Sequence, residues 1–292
     1  MQTDDRVVAN WQEFLDYIGP FVPKRGNPYG SMGFRGQEKA TPTWRLQPSL
    51  SRQLPRKCDF NKVLEIERRL LDEFRLDAHR HLSTWEIPTL QQVYPSMRWL
   101  MAMQQYGAPT RLLDWTLSPY VAAYFAVRDA HDEDGVLWIH NYPRLVEALR
   151  KSKIEVSLDR IEKAIEGKPP TLSEPPGICA VYLNLQRPER MYAQQGFYMV
   201  CEDPQRAHDE VMNELAKVSG VAPFLHKIII KCGAKEQFLA NLRMMNITGA
   251  SLFPGPDGLG RHVAEWGRLL AGGLAETPVQ GGPKDSTGAP GQ

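Results

Sequence analysis

The stretch Gln104-Gln-Tyr-Gly-Ala-Pro-Thr-Arg-Leu-Leu-Asp-Trp-Thr-Leu-Ser-Pro-Tyr-Val-Ala-Ala-Tyr-Phe-Ala126 decides how the chain is read. Tyr106, Arg111, Asp114, Trp115 and Thr116 crowd one connection without helical spacing. Ser118-Pro119 then opens a helix: a serine at the N-cap accepts from a free backbone N–H, and proline at the first helical position sacrifices no hydrogen bond. The helix, expected to run through Ala130, is apolar all round, which predicts burial. Charged and aromatic side chains on a connection anchored by a buried helix are well placed for function. Two readings stay open on the residues alone. Arg111 and Asp114 pair with each other over a core Trp115, or the cluster meets a ligand.

Upstream, a helix is expected over residues 96–106, ended by Gly107 and Pro109. A longer one fills 59–83, with Val63, Ile66, Leu70 and Phe74 on its apolar stripe. Residues 32–37 read as a strand, 20–33 as mostly Pro/Gly loop, and 8–19 as a short amphipathic helix carrying Val8, Trp11, Phe14, Leu15 and Ile18. Downstream, Asp134-Gly135 turns the chain into a strand at 136–142. Strand-like runs at 178–185, 196–201 and 224–231 then alternate with helical patterns at 205–218, 234–245 and 259–270. Helices early and separated strands later predict an α+β fold with a mixed, mostly antiparallel sheet in one domain, residues 1–270. Residues 271–292, nine of them Gly or Pro, read as a disordered tail.

Composition narrows the classes. With 292 residues, 42% hydrophobic and 24% charged at net +1, the chain can bury a core and is not disordered throughout. No run reaches the roughly 18 apolar residues of a membrane-spanning helix. Met1-Gln-Thr-Asp-Asp is acidic where a secretory signal is basic, so a cytoplasmic protein is expected, with Cys58, Cys179, Cys201 and Cys232 as reduced thiols. His79 and His81 are two apart and diverge on a helix, so no metal site is expected. Near-neutral charge removes a broadly basic nucleic-acid binder and leaves room only for a local basic face.

A second informative stretch is Phe34-Arg35-Gly36-Gln37, followed by Trp44-Arg45-Leu46-Gln47-Pro48-Ser49-Leu50-Ser51-Arg52. An arginine beside a glycine at a strand can hold an anion: the glycine lets a ligand approach and the guanidinium binds phosphate bidentately. The alternative is an ordinary edge-strand ion pair. Arg187 and Arg190 likewise read either as solvated surface or as substrate contacts. Glu65-Ile66-Glu67 looks like a paired-glutamate motif, but on a helix the two acids diverge.

Together these segments resemble the FRG domain, a family named for its Phe-Arg-Gly signature and common in bacteria and phages. Phe34-Arg35-Gly36, Trp44 to Arg52 and Gln105 to Thr116 carry the likeness. Arg190 to Phe197 and Leu252 to Leu259 are looser echoes, so it spans roughly residues 8–268. The pattern is in turn similar to the layout of ADP-ribosyltransferases. Those enzymes place an aromatic-Arg-Gly on a first core strand and a polar element before a Pro-Val-Ala-x-x-Phe-Ala helix, where this chain has Leu113 to Ala126. That resemblance implies NAD as substrate. Arg35 would clamp its diphosphate with help from Arg45, Arg52 and Arg111. Tyr106, Trp115 and Tyr124 would wall the nicotinamide, and Thr116 and Gln194 would add polar contacts.

One feature departs from the pattern. The glutamate of the third core strand is missing: the matching segment is Tyr192-Ala-Gln194-Gln195-Gly196-Phe197, and Glu202 lies seven residues beyond Gln195, about 20 Å along an extended chain. A neutral amide stabilises a cation far less than a carboxylate does. Asp114 and Gln195 are therefore the expected catalytic partners of Arg35. The expectation is an NAD-dependent ADP-ribosyltransferase-like enzyme or NAD glycohydrolase acting on a protein, RNA or DNA acceptor. It would be a bacterial or phage-associated toxin or anti-phage defence effector, with an antitoxin or defence-system partner and no membrane. The alternative is a non-catalytic nucleotide- or nucleic-acid-binding FRG module. A metal nuclease is disfavoured, because no multi-carboxylate or His/Asp cluster is present.

Overall fold

Among the described residues seven short strands make one open sheet. A computed structural model describes residues 5–21, 32–41, 45–55, 58–83, 87–89, 91–182 and 189–275. The strands are β1 (Asp5–Val8), β2 (Met32–Gln37), β3 (Leu113–Thr116), β4 (Gly135–Asn141), β5 (Ile178–Val181), β6 (Gly196–Cys201) and β7 (Leu225–Ile230). They lie in the order β1-β7-β4-β2-β3-β6-β5. β1 runs parallel to β7, and every other neighbouring pair is antiparallel. The fold is α+β with a mixed, mostly antiparallel sheet.

The helices in chain order are α1 (Trp11–Ile18), α2 (Ser49–Gln53), α3 (Phe60–His81), α4 (Pro95–Gln105), α5 (Pro119–Val127) and α6 (Tyr142–Lys151). They continue with α7 (Leu158–Ile165), α8 (Glu189–Ala193), α9 (His208–Ser219), α10 (Lys235–Met244), α11 (Gly249–Leu252) and α12 (Pro256–Ala275). α5 forms as its sequence dictates. Ser118 Oγ accepts from Val121 N, Pro119 holds the first turn, and seven of its nine residues are buried. With α1 and α10, α5 packs around Phe34, Leu137, Ile139 and Ile228. α6 and α9 pack around Trp115, Trp138 and Phe197. α3, α4 and α7 close a third cluster around Tyr198 and Val200.

Gly36 explains how α5 comes so close. A Cβ there would stand 1.9 Å from the Ala122 carbonyl oxygen, and one at Gly135 would stand 2.2 Å from that of Ala126. Helix-on-sheet packing therefore requires the glycine of the Phe-Arg-Gly signature, a role different from the ligand clearance expected of it.

Other expectations shift as well. Residues 5–8 form a strand, and Val8 pairs with Ile230, so the first helix begins only after the Asn10 cap. α3 is turned from the expected stripe: Val63, Leu64, Glu67, Leu71 and Ala78 are its buried residues. The buried Glu67 sets that rotation, because it meets Arg111. α6 and α7 were not foreseen, although Asn141 and Ser157 cap them through Arg144 N and Arg160 N. α12 runs to Ala275, past the expected start of the tail at 271. Residues 276–292, most of the expected loop (22–31), Trp44 and Arg187 lie outside the described residues. No described helix is long and apolar enough to cross a membrane.

Candidate functional site: an arginine-lined cleft where two strands part

β2 and β3 share a single register pair, Phe34 opposite Thr116, and then separate. The gap opens into a cleft of about 660 Å³, lined from β2, β3, α4, the end of α5 and the segment before α2. That volume lies in the usual range for a small-molecule site. Arg35 stands at the parting. Its Nη1 donates to the Asp114 carbonyl oxygen at 2.6 Å, in place of the ladder bonds the two strands do not make. The same nitrogen lies 3.7 Å from the Asp114 carboxylate. Its Nε is buried with no partner, so a donor at the cleft awaits an acceptor. Desolvation lowers the Arg35 pKa from its ordinary value; Asp114 opposes that effect and the neighbouring Arg52 charge adds to it.

Asp114 is the carboxylate best placed to act. Its side chain is 54% exposed. Gln104 Nε2 donates to its Oδ2 at 2.8 Å, while Gln104 Oε1 accepts from Thr110 Oγ1 at 2.5 Å, which fixes the amide's orientation. One carboxylate oxygen is thereby held in place while the group stays open to the cleft.

The charge balance of the cleft is lopsided. Among its described lining residues Arg35, Arg45, Arg52, Arg128 and Arg190 face only Glu38 and Asp114. Arg45 is already engaged by Asp209 and Glu210 on α9. Arg52 donates to the Gln47 carbonyl at 2.8 Å, and burial lowers its pKa. Arg190 lies 4.6 Å over the Phe253 ring, and no described carboxylate is within ion-pair distance of it. A cleft holding more guanidinium than carboxylate is suited to a polyanion such as a diphosphate. His140 and His208 add no charge: burial pushes each down to about 3, with Arg35 contributing at His208.

The cleft gathers Arg35, Arg45, Arg52, Asp114, Trp115, Thr116 and Gln194. Trp115 is 2% exposed, with its indole Nε1 unpartnered. Thr116 Oγ1 donates to the Gln194 carbonyl at 2.7 Å, and Gln194 Nε2 donates to the Leu252 carbonyl at 3.0 Å. Four expected residues, Arg111, Tyr106, Gln195 and Tyr124, stand elsewhere. Arg111 is fully buried in a two-pronged ion pair with Glu67, with Arg111 Nε 2.7 Å from Oε1 and Nη2 on Oε2. It therefore pairs with neither Asp114 nor a ligand. Tyr106 is 56% exposed at the end of α4 and is absent from the lining. Gln195 is exposed in the turn before β6 at φ 48°, also outside the lining. Tyr124 is buried, its hydroxyl on Glu265. Glu202 is buried and held by Arg160 at 2.6 Å, so it serves the far end of β6.

Sequence reasoning missed Glu38, Gln104, Gln105 and Arg128 as lining residues. Arg128 carried the clearest signal: it is the first charge after an otherwise apolar helix, so it must emerge from the core. Arg190 had two readings, and its position at the cleft favours contact over bare surface.

Among the described residues no cluster of three His, Cys, Asp or Glu side chains is arranged to hold a metal. Residues 30–135 match the family model of the FRG domain, a narrower span than the 8–268 of the sequence likeness. The chain therefore carries an FRG domain. The matched span supplies β2, β3 and α5, and with them the parting of the strands; Arg190 and Gln194 enter the cleft from outside it. No curated protein and no solved structure matches the chain.

Proposed function

We propose that the cleft takes NAD as a substrate and cleaves its nicotinamide–ribose bond, passing ADP-ribose to a macromolecule or to water. The observation that carries this reading is the open Asp114 carboxylate, 3.7 Å from the Arg35 guanidinium in a cleft rich in arginine. Arg35 and Arg52 bind the diphosphate, and the buried Arg35 Nε finds its missing acceptor there. Trp115, 2% exposed, backs the cleft from the core, and the part-exposed Phe125 ring of the lining walls the ring end. When the C1′–N bond breaks, its electron pair goes to the ring nitrogen, which loses its positive charge, and C1′ becomes oxocarbenium-like. Asp114 faces that charge, as carboxylates do in glycoside cleavage. The acceptor's lone pair then bonds to C1′, and its proton passes to Asp114 or to water. Such a protein fits a cytoplasmic toxin or defence effector of a bacterium or phage, held in check by an antitoxin or defence-system partner.

Nicotinamide release by the purified protein tests the role of Asp114. Asp114→Asn keeps the shape and the Gln104 contact with a rotated amide, and removes the charge. Release should fall by about 10²–10³-fold while NAD affinity changes only a few-fold. Equal release by the variant would contradict the assignment. One observation favours a binding module without turnover: the amide of Gln194 is committed to the Leu252 carbonyl, leaving no carboxylate at the start of β6. Tight NAD binding with no nicotinamide release is the signature of that second reading.

A further inference from the structure

Beyond the positive rim of the cleft, two groups of guanidinium and aromatic side chains meet at neighbouring positions of α12. Arg190 and Arg128 sit 4.6 Å and 5.4 Å from the Phe253 ring, and Arg261 lies 4.9 Å from the same ring. The next residue on α12, His262, meets Arg243 Nη1 at 3.4 Å. Arg243 in turn stacks 4.3 Å over the ring of Trp266, which is 44% exposed. No described carboxylate is within ion-pair distance of Arg190, Arg243 or Arg261. Asp129 pairs with Arg128, and Glu265 is buried on Tyr124 and Gly249 N. On a chain of net charge +1 this concentration is local.

Crowding guanidiniums without carboxylates costs stability, since like charges repel and each loses hydration. Burial lowers the Arg190 pKa; the Asp114 charge opposes that effect, and the Arg128 and Arg261 charges add to it. A ligand with regularly spaced negative charges relieves that repulsion. The spaced cations with an exposed, arginine-backed indole fit one class best. Single-stranded nucleic acid carries phosphates along a flexible backbone and offers bases that stack on aromatic side chains. A peptide phosphorylated at one site supplies the charge but not the stacking.

We infer that the face formed by Arg190, Phe253, Arg261, Arg243 and Trp266 docks single-stranded nucleic acid and leads it to the cleft as the acceptor. The inference rests on the NAD reading of the cleft only for the acceptor role. Phe253, 5% exposed, organises the three arginines and makes no contact with the strand. Arg190 belongs both to this face, over Phe253, and to the cleft lining.

The test uses the full chain with fluorescently labelled single-stranded RNA and single-stranded DNA of mixed sequence, titrated at several salt concentrations by anisotropy. A singly phosphorylated peptide is the competing probe. Wild type should bind the oligonucleotides with an affinity that falls steeply with salt. Arg243→Gln/Arg261→Gln should flatten the log–log salt slope by about 1.4, roughly 0.7 per lost phosphate contact. Trp266→Ala should weaken binding about tenfold or more through lost stacking. Arg261→Glu, a surface exchange, should weaken it further, and circular dichroism checks that each variant is folded. Oligonucleotide binding that is absent, or equal in all variants, overturns the inference, as does binding of the phosphopeptide alone. NAD binding is measured on the same proteins, because none of the substituted residues lines the cleft. If NAD binds and oligonucleotide does not, this inference alone has failed. If oligonucleotide binds and NAD does not, the acceptor role is overturned with the NAD reading.

Discussion

Replacing Glu67 by alanine should destabilise the protein by about 3–5 kcal/mol, the usual cost of stripping one partner from a buried ion pair. Arg111 and Glu67 are both fully buried, and the remaining Arg111 nitrogen donates to the Glu202 carbonyl at 3.3 Å. Without Glu67 the guanidinium stays in the core with one long hydrogen bond and no ion-paired carboxylate. Thermal and denaturant unfolding read the loss directly. The double variant Glu67→Leu/Arg111→Met should recover much of it, because two apolar side chains of similar reach leave no charge behind. Equal instability of the single and double variants would mean that shape, rather than charge compensation, governs this site. The pair ties α3 to the start of β3, so its loss should also loosen the strand that carries Asp114.

Gly36→Ala should have the second largest effect. The added methyl meets the Ala122 carbonyl oxygen at 1.9 Å and Ala126 N at 2.7 Å, both backbone atoms that cannot rotate away. Either α5 lifts from β2 or the strand shifts. Overpacking of this kind costs about 1–3 kcal/mol, occasionally more. Because Arg128 and Phe125 reach the cleft from the end of α5, ligand binding should drop together with stability. Gly19→Ala is the control: its φ is −49° and nothing lies within 4 Å of the added Cβ, so stability should hold or rise slightly. A Gly36→Ala protein as stable as wild type would contradict the packing role assigned to the signature glycine.

Local physics made part of this architecture legible in the sequence. The Ser118-Pro119 start of α5, the strands at β2, β4, β6 and β7, and the helices α4, α9 and α10 follow from caps, alternation and periodicity, which act over a few residues. The rotation of α3 does not, because it depends on Glu67 meeting an arginine 44 positions away. The same contact removes Arg111 from the cleft, although its neighbours Asp114, Trp115 and Thr116 stay in it. Side chains on successive strand residues point to opposite faces, and those before the strand obey neither pattern. A motif therefore names a neighbourhood, and only tertiary pairing decides which of its polar residues is structural. The same holds at the third strand, where Gln194 lines the cleft and the adjacent Gln195, at positive φ, turns away.

The proposed NAD site at the parting of β2 and β3 depends on Arg35. Calorimetric titration of NAD into wild type and Arg35→Ala tests it most directly, with circular dichroism confirming that the variant keeps its fold. Wild type should bind, and the variant should bind about 10–150-fold more weakly, the loss of charge-assisted hydrogen bonds worth about 1.5–3 kcal/mol. Arg35→Lys should fall between them, since it keeps the charge and loses the planar fork. No binding to wild type, or equal affinity for wild type and Arg35→Ala, would contradict the account.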